Sequence, residues 1–352
     1  MATRPNRLPL KGSIKYWNIM VFGDPGAGKT VFAGSDTKVL FVAPENDGLM
    51  SAERMGSSAE HIEIKHWLDL KNVYEWYDAH PDELADTNVL SIDSISEMQR
   101  LAKEYVLETG KEEKIRKGRD PEKMEIQDYG LMHELLENLV RGFNDLPVNV
   151  LWTATSKKVE DADKNEFLVP ELQGKKEYGV AMKMAALMTS YGHMRVEVHD
   201  VAMEPDPNDE EKKPRYKKVK RRVIYWEDSG TIRGKDRTMA LAPFTVNATL
   251  QQVRLAIAGK MKRNAEGFIV KVDAQKASAP VKKAAPPVKK AAPQTSPQPE
   301  KAVESKETPD DTKPATEATE VTQVPNVTVA EGKPEDKKED AVKELDLDAV
   351  QA

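Results

Sequence analysis

The stretch Gly23-Asp24-Pro25-Gly26-Ala27-Gly28-Lys29-Thr30 reads G-x-x-x-x-G-K-T, and its flanks decide what it means. Before it lies a short apolar run, residues 16–22 (YWNIMVF), with the length and composition of a buried strand. After it, KTVFAG opens a helical pattern. A glycine-rich turn between strand and helix can curl so that successive backbone N–H groups face phosphate oxygens, and the helix start adds partial positive charge. In such a turn Lys29 reaches the β- and γ-phosphates, and the Thr30 hydroxyl ligates magnesium. Residues 23–30 are therefore the expected cradle for a nucleoside triphosphate and Mg2+.

Outward from that turn, short runs rich in β-branched and aromatic residues alternate with longer helical patterns. Residues 38–43 (KVLFVA), 88–93 (NVLSID) and 148–153 (VNVLWT) have the near-continuous apolar character of strands buried on both faces. Between them lie helical patterns at 68–80, 94–108 and 127–145. The last puts Tyr129, Met132, Leu135, Leu136, Leu139, Val140 and Phe143 on one face. Strand–helix alternation predicts an α/β fold around a mainly parallel sheet. Past residue 189 the pattern changes: SYGHMRVEVHDVAM and KKVKRRVIYWED read as C-terminal antiparallel strands, and 249–260 as a final helix.

A phosphate-binding loop needs a second acid for its metal, at the end of a buried strand. Asp93 ends NVLSID and is the expected metal-shell carboxylate. Hydrolysis also needs a group that orients or deprotonates the attacking water. The residue after Asp93 is Ser94, so the candidate is Glu45, just past KVLFVAP, which a parallel strand beside the phosphate strand would bring to the γ-phosphate.

The 352 residues carry 53 Lys and Arg, 59 Asp and Glu, and no cysteine. A disulfide scaffold, a Cys-ligated zinc or iron–sulfur site and thiol catalysis are thereby excluded. The histidines show no metal-ligand spacing. No apolar run approaches the ~18 residues that span a bilayer, so the expected setting is cytoplasmic, without membrane association. No aromatic residue follows Phe268. Residues 271–290 hold six Lys and one Asp, whereas 291–352 hold seven Lys and fifteen acids. A chain so poor in apolar residues cannot offset its ordering entropy. The expected organisation is an N-terminal arm (1–14), an ATPase domain (15–262) and a disordered tail (263–352), Ala/Pro/Lys-rich and then acidic.

The complete phosphate loop, a Glu after the next strand (Ala43-Pro44-Glu45) and a strand ending Ile92-Asp93-Ser94 together resemble the RecA/RadA-like ATPase core. More closely, residues 15–260 resemble the RecA-like AAA-domain proteins encoded by bacteriophages, which are associated with single-strand annealing and recombination. The resemblance implies ATP as the nucleotide, catalytic roles for Lys29 and Glu45, and a γ-phosphate sensor at Thr155 or Ser156. Family relatives carry His or Gln there, so Ser156 departs from the pattern. It also implies that Lys235 and Arg237, in Ile232-Arg-Gly-Lys235-Asp-Arg237, act across a subunit interface as an arginine finger does, hence a homo-oligomeric ring or filament. For a phage-encoded chain the compartment is the host cytoplasm.

The implied partner is single-stranded DNA. Three segments are candidates for gripping it: 109–120, 156–176 and 212–222 (KKPRYKKVKRR). The third has eight basic residues in eleven and a Tyr that could stack a base. The acidic tail could cover the basic surface or bind a single-stranded-DNA-binding protein. Alternatives are a helicase-type motor or loader, and a nucleotide-dependent switch without DNA contact. No N-K-x-D motif for guanine is present.

Overall fold

The computed structural model describes residues 15–44, 46–112, 120, 122–160, 163–174, 179–203 and 216–272. The N-terminal arm, Glu45, most of the 109–120 segment and the tail from residue 273 lie outside the described residues.

In chain order the elements are β1 (Asn18–Gly23), α1 (Lys29–Ala33), β2 (Val39–Ala43), α2 (Asn46–Arg54), β3 (Glu60–Glu63), α3 (Trp67–Ala79), β4 (Val89–Ile92), α4 (Ile95–Glu112) and α5 (Ile126–Asp145). They continue as β5 (Asn149–Glu160), β6 (Glu166–Pro170), α6 (Gly179–Ala186), β7 (Ser190–Ala202), β8 (Tyr216–Tyr225), β9 (Lys235–Asp236), β10 (Phe244–Val246), α7 (Leu250–Ile257), β11 (Met261–Arg263) and β12 (Ile269–Lys271). Ten strands share one sheet in the order β10-β8-β7-β1-β5-β4-β2-β3, with β6 added to β5 and β9 to β7. From β7 to β3 the ladders are parallel. The strands added beyond β7 are antiparallel. This is the α/β architecture that the alternating pattern predicts, together with its antiparallel C-terminal strands. β11 and β12 form a separate two-stranded antiparallel sheet.

Both faces of the sheet are covered, which explains why the central strands are apolar at nearly every position. On one face Met20, Phe22, Ile92 and Trp152 pack with α3, α4, α5 and α6. On the other, Ile19, Val21, Phe41 and Leu151 pack with α1 and α7. Helix α5 buries Met132, Leu136, Leu139, Val140 and Phe143, and its start is fixed by Asp128, whose carboxylate accepts from the Glu125 N–H at 2.7 Å. Two core indoles have side-chain partners: Trp152 Nε1 donates to Asn144 Oδ1 at 2.9 Å, and Trp226 Nε1 to Thr245 Oγ1 at 3.0 Å.

The segment 156–176, a candidate for gripping DNA, is largely a hairpin in its described part. β5 continues to Glu160 and turns back as β6, pairing Ser156 with Pro170 through Glu160 with Glu166. Val159, Phe167 and Val169 are buried on one side of it, and the lysines and acids between them mask this alternation in the sequence. The two-stranded sheet also carries the described domain past residue 262, because Ile269 packs into the core beside α7.

Helix α7 is tied to the chain just after α1. Its N-cap Thr249 accepts from Gln252 N–H at 3.2 Å, and the Gln252 side chain accepts from Thr249 N–H at 3.0 Å. Leu250 N–H donates to Ser35 Oγ at 2.8 Å, and Arg254 grips the fully buried Asp36 carboxylate through two bonds, at 2.6 and 2.9 Å. Asp36→Ala strips the partner from a largely enclosed guanidinium and is expected to lower unfolding stability by about 3 kcal/mol. Urea unfolding with an unchanged midpoint would show that the pair is not needed to hold α7.

Candidate functional site

The phosphate loop begins where β1 ends, and two glycines are dictated by their surroundings. A methyl group on Gly23 would stand 2.2 Å from the Met194 carbonyl oxygen, so only glycine lets β7 pass this close. Gly28 has φ 98°, the left-handed region, immediately before α1. The turn between them is closed by Ala27 N–H donating to Asp24 O at 3.1 Å. Because α1 spans only Lys29–Ala33, the loop amides and the Lys29 charge carry more of the anion-holding capacity than a helix dipole could.

Lys29 turns back over the loop and donates to the carbonyls of Gly23 at 2.8 Å and Asp24 at 3.1 Å. Burial lowers the pKa of its ammonium, while the Asp93 and Asp24 carboxylates oppose that shift. Asp93 is thus within electrostatic reach of Lys29, although its strand is not the neighbour of β1. β5 runs between them, pairing Gly23 with Thr155 on one side and Ile92 with Trp152 on the other. Asp93 follows Ile92, and its carboxylate accepts a short hydrogen bond from the Thr153 hydroxyl. Thr30 is the second residue of α1.

Thr155 and Ser156 both lie against the loop, and both are engaged. The Ser156 hydroxyl donates to the Asp24 carboxylate. The Thr155 hydroxyl donates to Glu171 Oε2 at 2.7 Å and lies 3.1 Å from Ser96 Oγ. Ser96 also donates to the Glu171 carbonyl at 3.0 Å, and Gln99 exchanges two bonds with Gln173, at 2.9 and 2.6 Å. The start of α4 is thereby stitched to the segment that follows β6.

Glu45 itself lies outside the described residues. The strand that leads to it is not beside the phosphate strand: β2 pairs with β3 and β4, so β4 and β5 separate it from β1. The chain leaving β2 emerges next to Asp93, whose N–H donates to Val42 O at 3.2 Å.

Lys235 and Arg237 are not brought to this site. Lys235 pairs with Tyr191, which is in register with Met20, three residues before Gly23 on β1. At ~3.3 Å per residue that is roughly 10 Å along the strand. The Lys235 ammonium donates to Ala185 O at 2.9 Å, at the end of α6, and lies 5.5 Å from the Tyr191 ring centre. Burial, with Arg237 second, pushes its pKa down to about 8. The Arg237 side chain is exposed. Asp236 between them fixes the turn, accepting from Ser190 Oγ and from the Leu241 and Ala242 N–H groups at 2.8, 2.8 and 3.1 Å.

Three features of the site carry no distinct signal in the sequence. Thr153 is one polar residue in an apolar run. Glu171 is brought to Thr155 only by the hairpin. His193 is buried against Phe22, with ring centres 5.1 Å apart and neither ring nitrogen hydrogen-bonded among the described residues. Burial drives its pKa down to about 4, against the pull of Asp24, so the ring is neutral near pH 7.

The arrangement gathers a glycine-rich loop, a lysine, the Asp93 carboxylate and strand-end hydroxyls at the C-terminal edge of one parallel sheet. It suits the binding of a nucleoside triphosphate with a divalent cation and transfer of the terminal phosphoryl group to water. Asp93 and Thr30 would hold the metal, which supplies charge neutralisation at the β- and γ-oxygens. A family model described as AAA domain matches residues 15–238. No curated protein matches the chain.

Proposed function

The chain belongs to the AAA domain family, a P-loop nucleotide-binding group, and from that premise we propose that it is a RecA-like, Mg2+-dependent ATPase acting on single-stranded DNA in phage recombination, annealing or replication. The observation that carries the ATPase part is the convergence of Lys29, Asp93, Thr153, Thr155 and Ser156 on one loop, with β5 inserted between the loop strand and the Asp93 strand. Glu45 is the proposed water-activating group, and ATP the proposed nucleotide.

Support for nucleic acid comes from the hairpin β7–β8. Period-two alternation puts Tyr216, Lys218, Lys220 and Arg222 on one face, opposite Ala202, Asp200, Val198 and Val196 in register. Tyr216 is 62% exposed, and Val196 and Val198 farther along the same face are 45% and 60% exposed, so cations meet phosphates while rings and aliphatics meet bases. The test is steady-state ATP hydrolysis by the full chain with and without single-stranded DNA at low salt. Several-fold stimulation is expected. The variant Lys218→Glu/Lys220→Glu should keep basal turnover and lose about tenfold or more in DNA affinity. Neither stimulation nor DNA binding would leave a nucleotide-dependent switch as the better reading.

The placement of Arg237 supports action in trans within a homo-oligomer, because it is exposed at the far end of the sheet from its own loop. In mixtures of Arg237→Ala with Lys29→Ala protein, turnover is expected to exceed that of either variant alone, since a hybrid interface joins an intact loop to an intact finger. No gain on mixing would place Arg237 in a structural role within its own subunit.

A further inference from the structure

Arg222 stands where the phosphate loop meets a cavity, and nothing in the catalytic arrangement accounts for either. Its Nε lies 2.4 Å from the position that a methyl group on Gly28 would occupy, so the guanidinium rests directly on the loop. The side chain is exposed, and among the described residues it has no carboxylate or hydrogen-bond partner. Its backbone is nevertheless pinned on both sides: Arg222 N–H donates to Asn247 Oδ1 at 2.9 Å, and Asn247 N–H donates to Arg222 O at 2.7 Å. A cation on a fixed backbone beside an anion-binding loop is placed to meet an anion held there.

The cavity is about 490 Å3; Val31, Phe32, Met194, Arg222, Ile224 and Asn247 wall the part nearest the loop, and residues 34–37 after α1 and 52 and 55–58 around the end of α2 wall most of the rest. That volume falls within the range of small-molecule sites, and the lining is of the mixed kind they have, apolar walls with a few polar groups. Its direction from the loop is informative. β1 lies between β5 and β7. Asp93, the expected metal acid, and the hydroxyls of Thr155 and Ser156 are all on the β5 side, which on the triphosphate reading makes that side the γ-phosphate end. A triphosphate lying across the loop therefore points its other end towards β7 and β8, where Arg222 and the cavity are.

We propose that Arg222 holds the α-phosphate of the bound nucleotide and that the cavity between α1, β8 and Asn247 receives its nucleoside. This rests on the reading of residues 23–30 as the triphosphate site and adds the half of the ligand which that reading leaves unplaced. It also makes β8 the strand on which the nucleotide contact and the exposed cations Lys218 and Lys220 share one face.

The experiment is equilibrium titration of the full chain, without DNA, with a fluorescent ADP analogue, using ADP and inorganic tripolyphosphate as competitors. Arg222→Ala is expected to weaken ADP by about tenfold or more, the usual loss for a hydrogen bond to a charged group. Ala248→Trp fills the cavity from its wall and should weaken ADP at least as much while leaving tripolyphosphate unchanged. Lys29→Ala should weaken both competitors. If Lys29→Ala loses ADP but Arg222→Ala binds it as the parent does, the assignment of Arg222 and the cavity is wrong and the triphosphate reading stands. If Lys29→Ala itself binds normally, the triphosphate reading fails first. Thermal unfolding of each variant guards against misfolding. Should Ala248→Trp not fold, the exposed Arg222→Ala decides alone.

Discussion

Lys29→Ala is expected to lower nucleotide hydrolysis by about a thousandfold or more, because an ammonium that meets the β- and γ-phosphates contributes several kcal/mol at the transition state. The loss should not come from unfolding. In the folded chain the Lys29 pKa is lowered, first by burial, with Asp93 and Asp24 opposing. A depressed lysine pKa means that near pH 7, below both the folded and unfolded values, the charged form is less well accommodated folded than unfolded. Removing it relieves that cost, so the free variant should unfold at the parent temperature or slightly above. What it should lose is the rise in unfolding temperature that ATP or ADP is expected to produce in the parent chain. Thermal scans with and without nucleotide separate the cases: an unchanged nucleotide-induced shift would remove residues 23–30 from the binding site.

How much of this was legible in the sequence depends on the range of the interactions. The loop from Gly23 to Thr30, the buried strands around it and the apolar face of α5 are local patterns, and the sheet assembles them as expected. The place of Asp93 at the end of a buried strand was legible, because an apolar run closed by an acid is itself a local signal. Strand order was not, since nothing in residues 148–153 says that β5 inserts between β1 and β4; the pairing of Gly23 with Thr155 and of Ile92 with Trp152 is a long-range choice. The hairpin of β5 and β6 was hidden because the polar, mostly charged stretch 160–166 separates Val159 from the short apolar run 167–170, so neither side shows a period-two pattern of its own. The basic stretch around Lys217–Arg222 showed its charge but not its division into two faces, and so could not single out Arg222 from its neighbours. Lys235 and Arg237 were found by motif, but their distance from the loop follows only from the register of β9 on β7.

Asp93→Asn tests the other half of the catalytic arrangement. Asparagine keeps an acceptor oxygen for the Thr153 hydroxyl, so the strand end should hold its shape while the metal loses an anionic ligand. Metal-assisted charge stabilisation is worth several kcal/mol, so Mg2+-dependent turnover should fall by about a thousandfold. Binding of ADP without metal should change little, because the loop amides and Lys29 remain. Thr153→Val, which leaves the carboxylate charged but free to rotate, should cost less than Asp93→Asn, about tenfold. A second readout follows from the coupling between the two residues. The Asp93 charge raises the Lys29 pKa against the effect of burial, so neutralising it lets the lysine deprotonate at lower pH. Metal-free ADP binding by Asp93→Asn should therefore weaken at a lower pH on the alkaline side than in the parent. An unshifted alkaline limb would separate Asp93 from Lys29, and unchanged Mg2+-dependent turnover would move the metal acid to another strand, leaving the loop as a binding site without its catalytic partner.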